Sequence, residues 1–255
     1  MRGRARSTVA DVAERQESSH PVGRILAALG IALVFAILLS LGTWQVQRLH
    51  WKETLIADIA ERRVATPVPL AEIEAMKAAG GDIEYRPVAV TGTFLNNRER
   101  HFFATWNGVT GYHVYTPLAL ADGRVLFVNR GFVPYENKEP EMRKQGQLTG
   151  PQTVTGLARD RLSGKPSWLV PDNDPARNIF YWKDIDQMAA SDGFDSSRVV
   201  PFFVDADATA NPNGLPIGGV TQFDLPNSHL QYAVTWYGLA LALAGVLIAF
   251  RFRTE

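Results

Sequence analysis

The side chains best suited to proton transfer or metal ligation near neutral pH are the five histidines, His20, His50, His101, His113 and His229. None stands in an H-x-x-x-H or H-E-x-x-H pair, so no helical zinc ligand set is present. No G-x-S-x-G occurs, and Ser163, Ser167 and Ser228 have no local activating signature. The strings "IGG" and "AGGD" lack the glycine spacing and strand-to-helix setting of a phosphate cradle. With no cysteine in the chain, disulfides, thiolate metal sites, covalent c-type heme attachment and a cysteine nucleophile are all excluded. No enzyme signature rises above background.

One histidine has an unusual setting. His229 stands at the head of "NSHLQYAVTWYGLALALAGVLIAF" (227–250), and His229, Tyr232, Ala233 and Trp236 fall on one helical face. The end of the other long apolar segment carries Trp44, Gln45, Arg48, Trp51 and Lys52. A neutral imidazole is a good iron ligand, and a basic side chain nearby would hold carboxylates. A flat apolar macrocycle with two propionates suits that set, its ring against the aromatics and its propionates toward Arg48 or Lys52. An aromatic belt with basic anchors accounts for the same residues, and so does an ordinary interfacial histidine. Spacing leaves both open.

Two apolar segments must position these groups. Ile25–Val46 and Tyr232–Phe250 carry no charge, and at a rise of about 1.5 Å per residue either spans a hydrocarbon core of about 30 Å. The first is read as a retained anchor rather than a cleaved signal, since it exceeds an h-region and lacks small residues at a cleavage site. Arg2, Arg4, Arg6, Arg15 and Arg24 before it, with Arg251 and Arg253 after the second, predict both termini on the cytoplasmic side. The expected organisation is a cytoplasmic tail (1–24), a transmembrane helix (25–46), a β-rich periplasmic domain with a helical stalk (47–230), a second transmembrane helix (231–250) and a short cytoplasmic tail (251–255). The acidic residues Asp11, Glu14 and Glu17 are unlike a mitochondrial transit peptide and favour the inner (cytoplasmic) membrane of a bacterium. Cytoplasmic parts this short argue against a sensor, which needs an output module. With 26 basic and 26 acidic residues, nothing in the bulk charge favours nucleic acid.

Between the spans, helical periodicity continues through Trp44, Arg48, Trp51 and Leu55, and "PLAEIEAMKAAGG" reads as a short helix stopped at Gly80-Gly81. Strands are expected at "RPVAVTGTF", "RHFFATW", "GYHVYTPLAL", "RVLFVNRGFV", "QTVTGLAR" and "RVVPFFVDA". Asn107-Gly108 and Asp122-Gly123 mark turns among them, the second being the strongest short hairpin signal. A short helix is expected over "WKDIDQMAA". The fold class is a membrane-anchored α+β protein, with two transmembrane helices flanking a β-rich domain.

Five strings occur in order: "LGTWQVQRLHWK" (41–52), "YRPVAVTGTF" (85–94), "GYHVYTPL" (111–118), "VNRGFVP" (128–134) and "NSHLQYAVTWYGLA" (227–240). Together they resemble the Surfeit-locus (Surf/Shy) family of cytochrome c oxidase assembly factors, and "NIFYWKDID" (178–186) is similar to a further family segment. Phe132 stands where the family usually has Trp. The resemblance implies a non-enzymatic protein that matures the catalytic subunit of the oxidase, binding heme a and assisting its delivery to subunit I. It implies His229 as the axial ligand, with heme a synthase, subunit I and the lipid bilayer as partners. Arg48 and Lys52 are then candidate propionate partners, and Trp44 and Trp236 candidate ring walls. Arg86 and Arg130, beside apolar strands, are expected in structural ion pairs. A scaffold that stabilises a subunit I intermediate without carrying heme is the alternative.

Overall fold

The computed structural model describes residues 21–223 and 225–253. The tail arginines Arg2, Arg4, Arg6 and Arg15, with Asp11, Glu14 and Glu17, lie outside them. The chain divides into two compact units, one of residues up to Leu55 with those from Leu225 onward, the other Ile56–Asp224.

Two helices build the first unit. Helix α1 runs Pro21–Arg62, its last turns belonging to the second unit, and a second helix runs His229–Arg253. Both are long and apolar enough to cross a membrane by length and composition. Their apolar side chains are mostly uncovered, with Leu26, Leu33, Val234 and Leu241 all exposed. No described residue of this unit gives those faces an apolar core to enter, which is the pattern of a segment whose solvent is lipid.

The second unit is a β-barrel with two short helices. Its elements after α1 are β1 (Val68–Pro69), α2 (Leu70–Ala78), β2 (Pro87–Phe94), β3 (Arg100–Trp106), β4 (Val109–Ala119), β5 (Val125–Pro134), β6 (Pro151–Asp160), α3 (Ile185–Ser191) and β7 (Val199–Ala206), which makes the second apolar helix α4. The strand order is β1-β2-β6-β7-β5-β4-β3, and β2 also pairs with β4 through Thr93↔Ala119 and Phe94↔Leu118. That last pairing closes β2, β6, β7, β5 and β4 into a ring. All ring pairings are antiparallel except β5 with β7.

Local chemistry explains the corners. Asn107 and Gly108 both take positive φ (48° and 79°), the primed-turn geometry that matches strand twist, and they join Trp106 to its partner Val109. Gly123, at φ 82°, turns β4 into β5. Asp184 caps α3 by accepting from the Gln187 amide at 3.0 Å, so the helix starts three residues later than Trp182.

Strand β5 is covered on both faces. Leu126 and Val128 enter a core with Val88, Val90, Phe94, Leu118, Phe202 and Val204, against which α2 lays Ile73. Phe127 points the other way, into a cluster with Tyr115, Phe180, Phe203 and the α3 residues Ile185 and Met188. This is why "VLFV" reads as an unbroken apolar run rather than an alternation. Phe132, fully buried, packs against Trp106 and His113 with ring centroids 5.9 and 6.3 Å away, so a large ring is what the position requires.

Gly131 is the tightest point of this strand. Its φ is 125°, and a Cβ there would lie 1.9 Å from the Ile217 carbonyl oxygen, because Phe132 and Ile217 bond each other's backbones. Gly131→Ala is expected to destabilise the domain by about 3 kcal/mol or more, combining left-handed strain with a backbone clash. A urea-unfolding midpoint close to wild type would show that the loop at Ile217 yields freely.

Candidate functional site

His229 is the first residue of α4 and is half-buried. Its Nδ1 lies 2.7 Å from Oε1 of Gln45 on α1. A carbonyl oxygen only accepts, so Nδ1 donates, and in the neutral imidazole this tautomer leaves the lone pair on Nε2. Gln45 is itself buried at 8 % exposure, so the contact is sheltered on the α1 side. An oriented neutral imidazole with one nitrogen committed to a hydrogen bond and the other left with its lone pair is the usual arrangement of a metal-ligating histidine.

Close helix packing holds this pair in register. One turn below Gln45, Gly42 lets the Tyr237 ring approach so closely that a Cβ would lie 2.8 Å from Cε1. The Tyr237 hydroxyl is 3.0 Å from Thr43 Oγ1, and Ala233 and Ala240 of α4 are buried at 2 %. Small residues that allow two backbones together are the standard device of helix pairs in lipid. Gly42→Leu should therefore separate α1 from α4 at this level and cost about 1–3 kcal/mol, read as a lower midpoint in a detergent-to-SDS unfolding titration of the full chain. An unchanged midpoint would mean that the Tyr237 ring simply swings aside.

The other sequence candidates lie near this pair along the helices, without direct bonds to it. Trp44 is exposed at 54 % and Trp236 is half-buried. The exposed Arg48 stacks its guanidinium 3.7 Å above the Trp51 ring. Stacking uses the face of the guanidinium and leaves its in-plane N–H donors available to a carboxylate. Lys52 is half-buried. Among the described residues no group of three or more His, Cys, Asp or Glu could hold a metal ion. The donor set is thus a single imidazole, which fits axial ligation of a macrocycle that already supplies four nitrogens and does not fit a free ion. Gln45, named from the sequence without a role, is the residue that the structure places against His229. It stands among the polar residues at the end of the first apolar segment, but only the register of α1 on α4 reveals its partner, 184 positions away.

The second unit concentrates charge of a different kind. Glu99, His101, Arg130 and Arg143 are all at most 3 % exposed. Arg143 pairs with the Glu99 carboxylate through both terminal nitrogens and donates from Nε to the Asn137 carbonyl at 3.1 Å. Thr116 Oγ1 also donates to Glu99 at 3.4 Å. Arg130 donates to the Gly146 carbonyl (2.6 Å) and to Asn211 (2.9 Å), lies over the Phe94 ring and stands 3.9 Å from Glu99. Its role is structural, as expected of an arginine in this strand. Arg86 instead ties its Nε to the Asp82 backbone carbonyl at 2.9 Å, a hydrogen bond in place of the expected ion pair. His101 accepts at Nδ1 from Asn178 (3.0 Å), and burial, with the charges of Arg143, Lys138 and Arg100, pushes its pKa down to about 3. Every member of this network has a partner, so it reads as a folding element.

Comparison with known proteins adds an independent line. A protein-family model described as "SURF1 family" matches residues 32–241. The chain is 40 % identical over 219 residues to "Surfeit locus protein 1" of Rattus norvegicus, covering 79 % of this chain and 68 % of that protein. Against the protein of the same name from Homo sapiens it is 40 % identical over 220 residues, covering 79 % and 70 %. The Xenopus tropicalis relative is 37 % identical over 256 residues, with 94 % and 78 % covered. The matched span contains both Gln45 and His229.

Proposed function

Since this chain belongs to the SURF1 family, we propose that it is a non-enzymatic cytochrome c oxidase assembly factor that binds heme a as cargo and assists its delivery to oxidase subunit I. The observation that carries the heme reading is the His229–Gln45 hydrogen bond, which leaves Nε2 as an oriented donor at the head of α4. Heme a, when bound, supplies an iron whose axial position takes one imidazole nitrogen. The chain's own residues do the rest. Gln45 sets the tautomer and ring orientation of His229, Arg48 and Lys52 offer cations to propionates, and Trp44 and Trp236 offer flat apolar walls. A single axial protein ligand suits a donor that must release what it carries, because two strong ligands would slow transfer.

In this reading α1 and α4 anchor the chain in a bacterial inner membrane, with both termini cytoplasmic and the barrel domain periplasmic. The chain takes heme a from a membrane-embedded heme a synthase, with the lipid bilayer around the helix pair. The test is the absorption spectrum of the full chain purified from cells that make heme a. A bound heme a spectrum is expected. A heme-free protein that still co-purifies with subunit I would sink the cargo reading in favour of a scaffold.

A further inference from the structure

The barrel domain holds a second concentration of polar groups that the heme reading leaves unused. A cavity of about 390 Å³ is lined by Phe102 of β3, His113 of β4, Asn129 of β5, Arg159 of β6, Asp205 of β7 and Lys183, which precedes the cap of α3. Its volume lies in the range of small-molecule sites.

Most of the lining is already committed. Parallel pairing sets Asn129 beside Asp205, and Asn129 Nδ2 donates to Asp205 Oδ1 at 2.9 Å. Oδ2 of Asp205 accepts from Arg159 (2.8 Å) and from Thr221 (3.0 Å). Arg159 also donates to Glu84 at 2.8 Å, outside the cavity. Asp205 is thereby satisfied by three donors and stays ionised, held low by the Lys183 and Arg159 charges and these hydrogen bonds against the opposing effect of burial.

Lys183 and His113 are not committed in this way. Among the described residues Lys183 has no hydrogen-bond or ion-pair partner, and its ammonium is 5.6 Å from the centre of the Tyr115 ring. The His113 ring nitrogens likewise hydrogen-bond to no described residue, and the ring packs against Phe102 and Phe132. Tyr115, two residues along β4, has a buried hydroxyl with no partner. Burial and the Lys183 charge push the His113 pKa down to about 4, so at neutral pH this imidazole is an uncharged donor. The lining charges are Lys183 and Arg159 against Asp205, one net positive.

A half-buried ammonium with no acceptor among the described residues is free to pair with a ligand that supplies lone pairs and one negative charge. We propose that this cavity is a binding site for a small oxyanion, a carboxylate or a phosphate, with Lys183 as the pairing cation and His113 as a neutral donor beside it. The claim does not depend on heme binding at His229.

The test uses the full chain in detergent at pH 7, in acetate, inorganic phosphate or chloride at equal ionic strength. At acetate about four times its dissociation constant, the folding equilibrium should favour the native state about fivefold more than in chloride, and Lys183→Gln should lose that gain while Lys183→Arg keeps part of it. A Lys183-dependent gain in phosphate instead assigns the phosphate source and equally supports the site. Equal stability in all three salts, or a gain that survives in Lys183→Gln, overturns it. Should Lys183→Gln fail to fold, amine acylation of the wild type decides. Acetate should slow modification of Lys183 about fivefold relative to chloride and leave the exposed Lys144 unchanged, and an unprotected Lys183 overturns the proposal.

Discussion

Chain carrying His229→Ala, purified from cells that make heme a, is expected to lose its heme spectrum while keeping its fold. The imidazole is half-buried at the head of α4, where removing it empties little of a packed core. The helix contacts at Gly42, Thr43 and Tyr237 do not involve it. If the proposed ligation holds, this change removes the one imidazole ligand identified among the described residues, so occupancy should fall by more than about tenfold, beyond what losing an outer partner costs. Gln45→Leu makes the sharper test. It keeps the ligand and the approximate volume but deletes the acceptor at 2.7 Å, freeing the tautomer and ring orientation. Occupancy should then drop about 10–100-fold, with the residual heme still histidine-ligated by its spectrum. If His229→Ala binds heme a as the wild type does, the ligand assignment is wrong. If Gln45→Leu alone is silent, the 2.7 Å contact is packing rather than positioning.

A large stability effect is also expected inside the barrel domain, at Arg143. Arg143→Met leaves the Glu99 carboxylate at 3 % exposure without its bidentate partner. Breaking one side of a buried pair costs about 3–5 kcal/mol. Arg130, 3.9 Å from Glu99, offsets part of this and points to the lower end. Against the usual total of about 5–15 kcal/mol, such a loss is large. The double variant Glu99→Leu/Arg143→Met should recover most of it, since a paired apolar replacement buries no orphan charge. Urea midpoints of the single and double variants decide the matter; equal losses in both would mean that packing, not charge, carries the cost. The same cluster predicts an acid response. His101 is held near pKa 3 in the fold, whereas an unfolded histidine titrates near about 6.5. The native state therefore binds fewer protons, so this contribution is complete above about pH 6.5 and is lost as the pH falls from there toward 3. In Arg143→Met the foremost charge opposing protonation is gone, and the loss should set in over a narrower window.

What the sequence made legible follows from which interactions are local. Asn107-Gly108 and Asp122-Gly123 mark real turns because positive φ is a property of those residues themselves. Strands β2 to β7 and the helices at Leu70 and Ile185 follow from periodicity and capping in the same way, whereas the two-residue β1 left no such signal. The closing contact of β2 with β4 and the parallel join of β5 to β7 left no such mark. They are pairings between distant segments, set by how the apolar faces of a finished sheet meet. The site shows the same division. His229 was visible from its place at the head of an apolar run, and Gln45 became its partner only through helix register. Arg143 sits in a polar stretch, "EMRKQG", that gives no hint of burial. The slot of the Phe132 ring, set by Trp106 and His113, is likewise a product of packing between strands.

Barrel closure also limits how another protein can take hold of this domain. In the ring β2, β6, β7, β5 and β4 each strand has both neighbours in place. Strand β1 at one end is two residues long, and the outer side of β3 is occupied where Phe103 and His101 exchange backbone bonds with Phe180, both at 2.8 Å. Little unpaired main chain is left to template an added strand. A subunit that docks on the barrel must therefore read its side chains one by one. Recognition of that kind is specific to sequence, and it leaves the domain resistant to the indiscriminate edge-to-edge association that threatens open sheets.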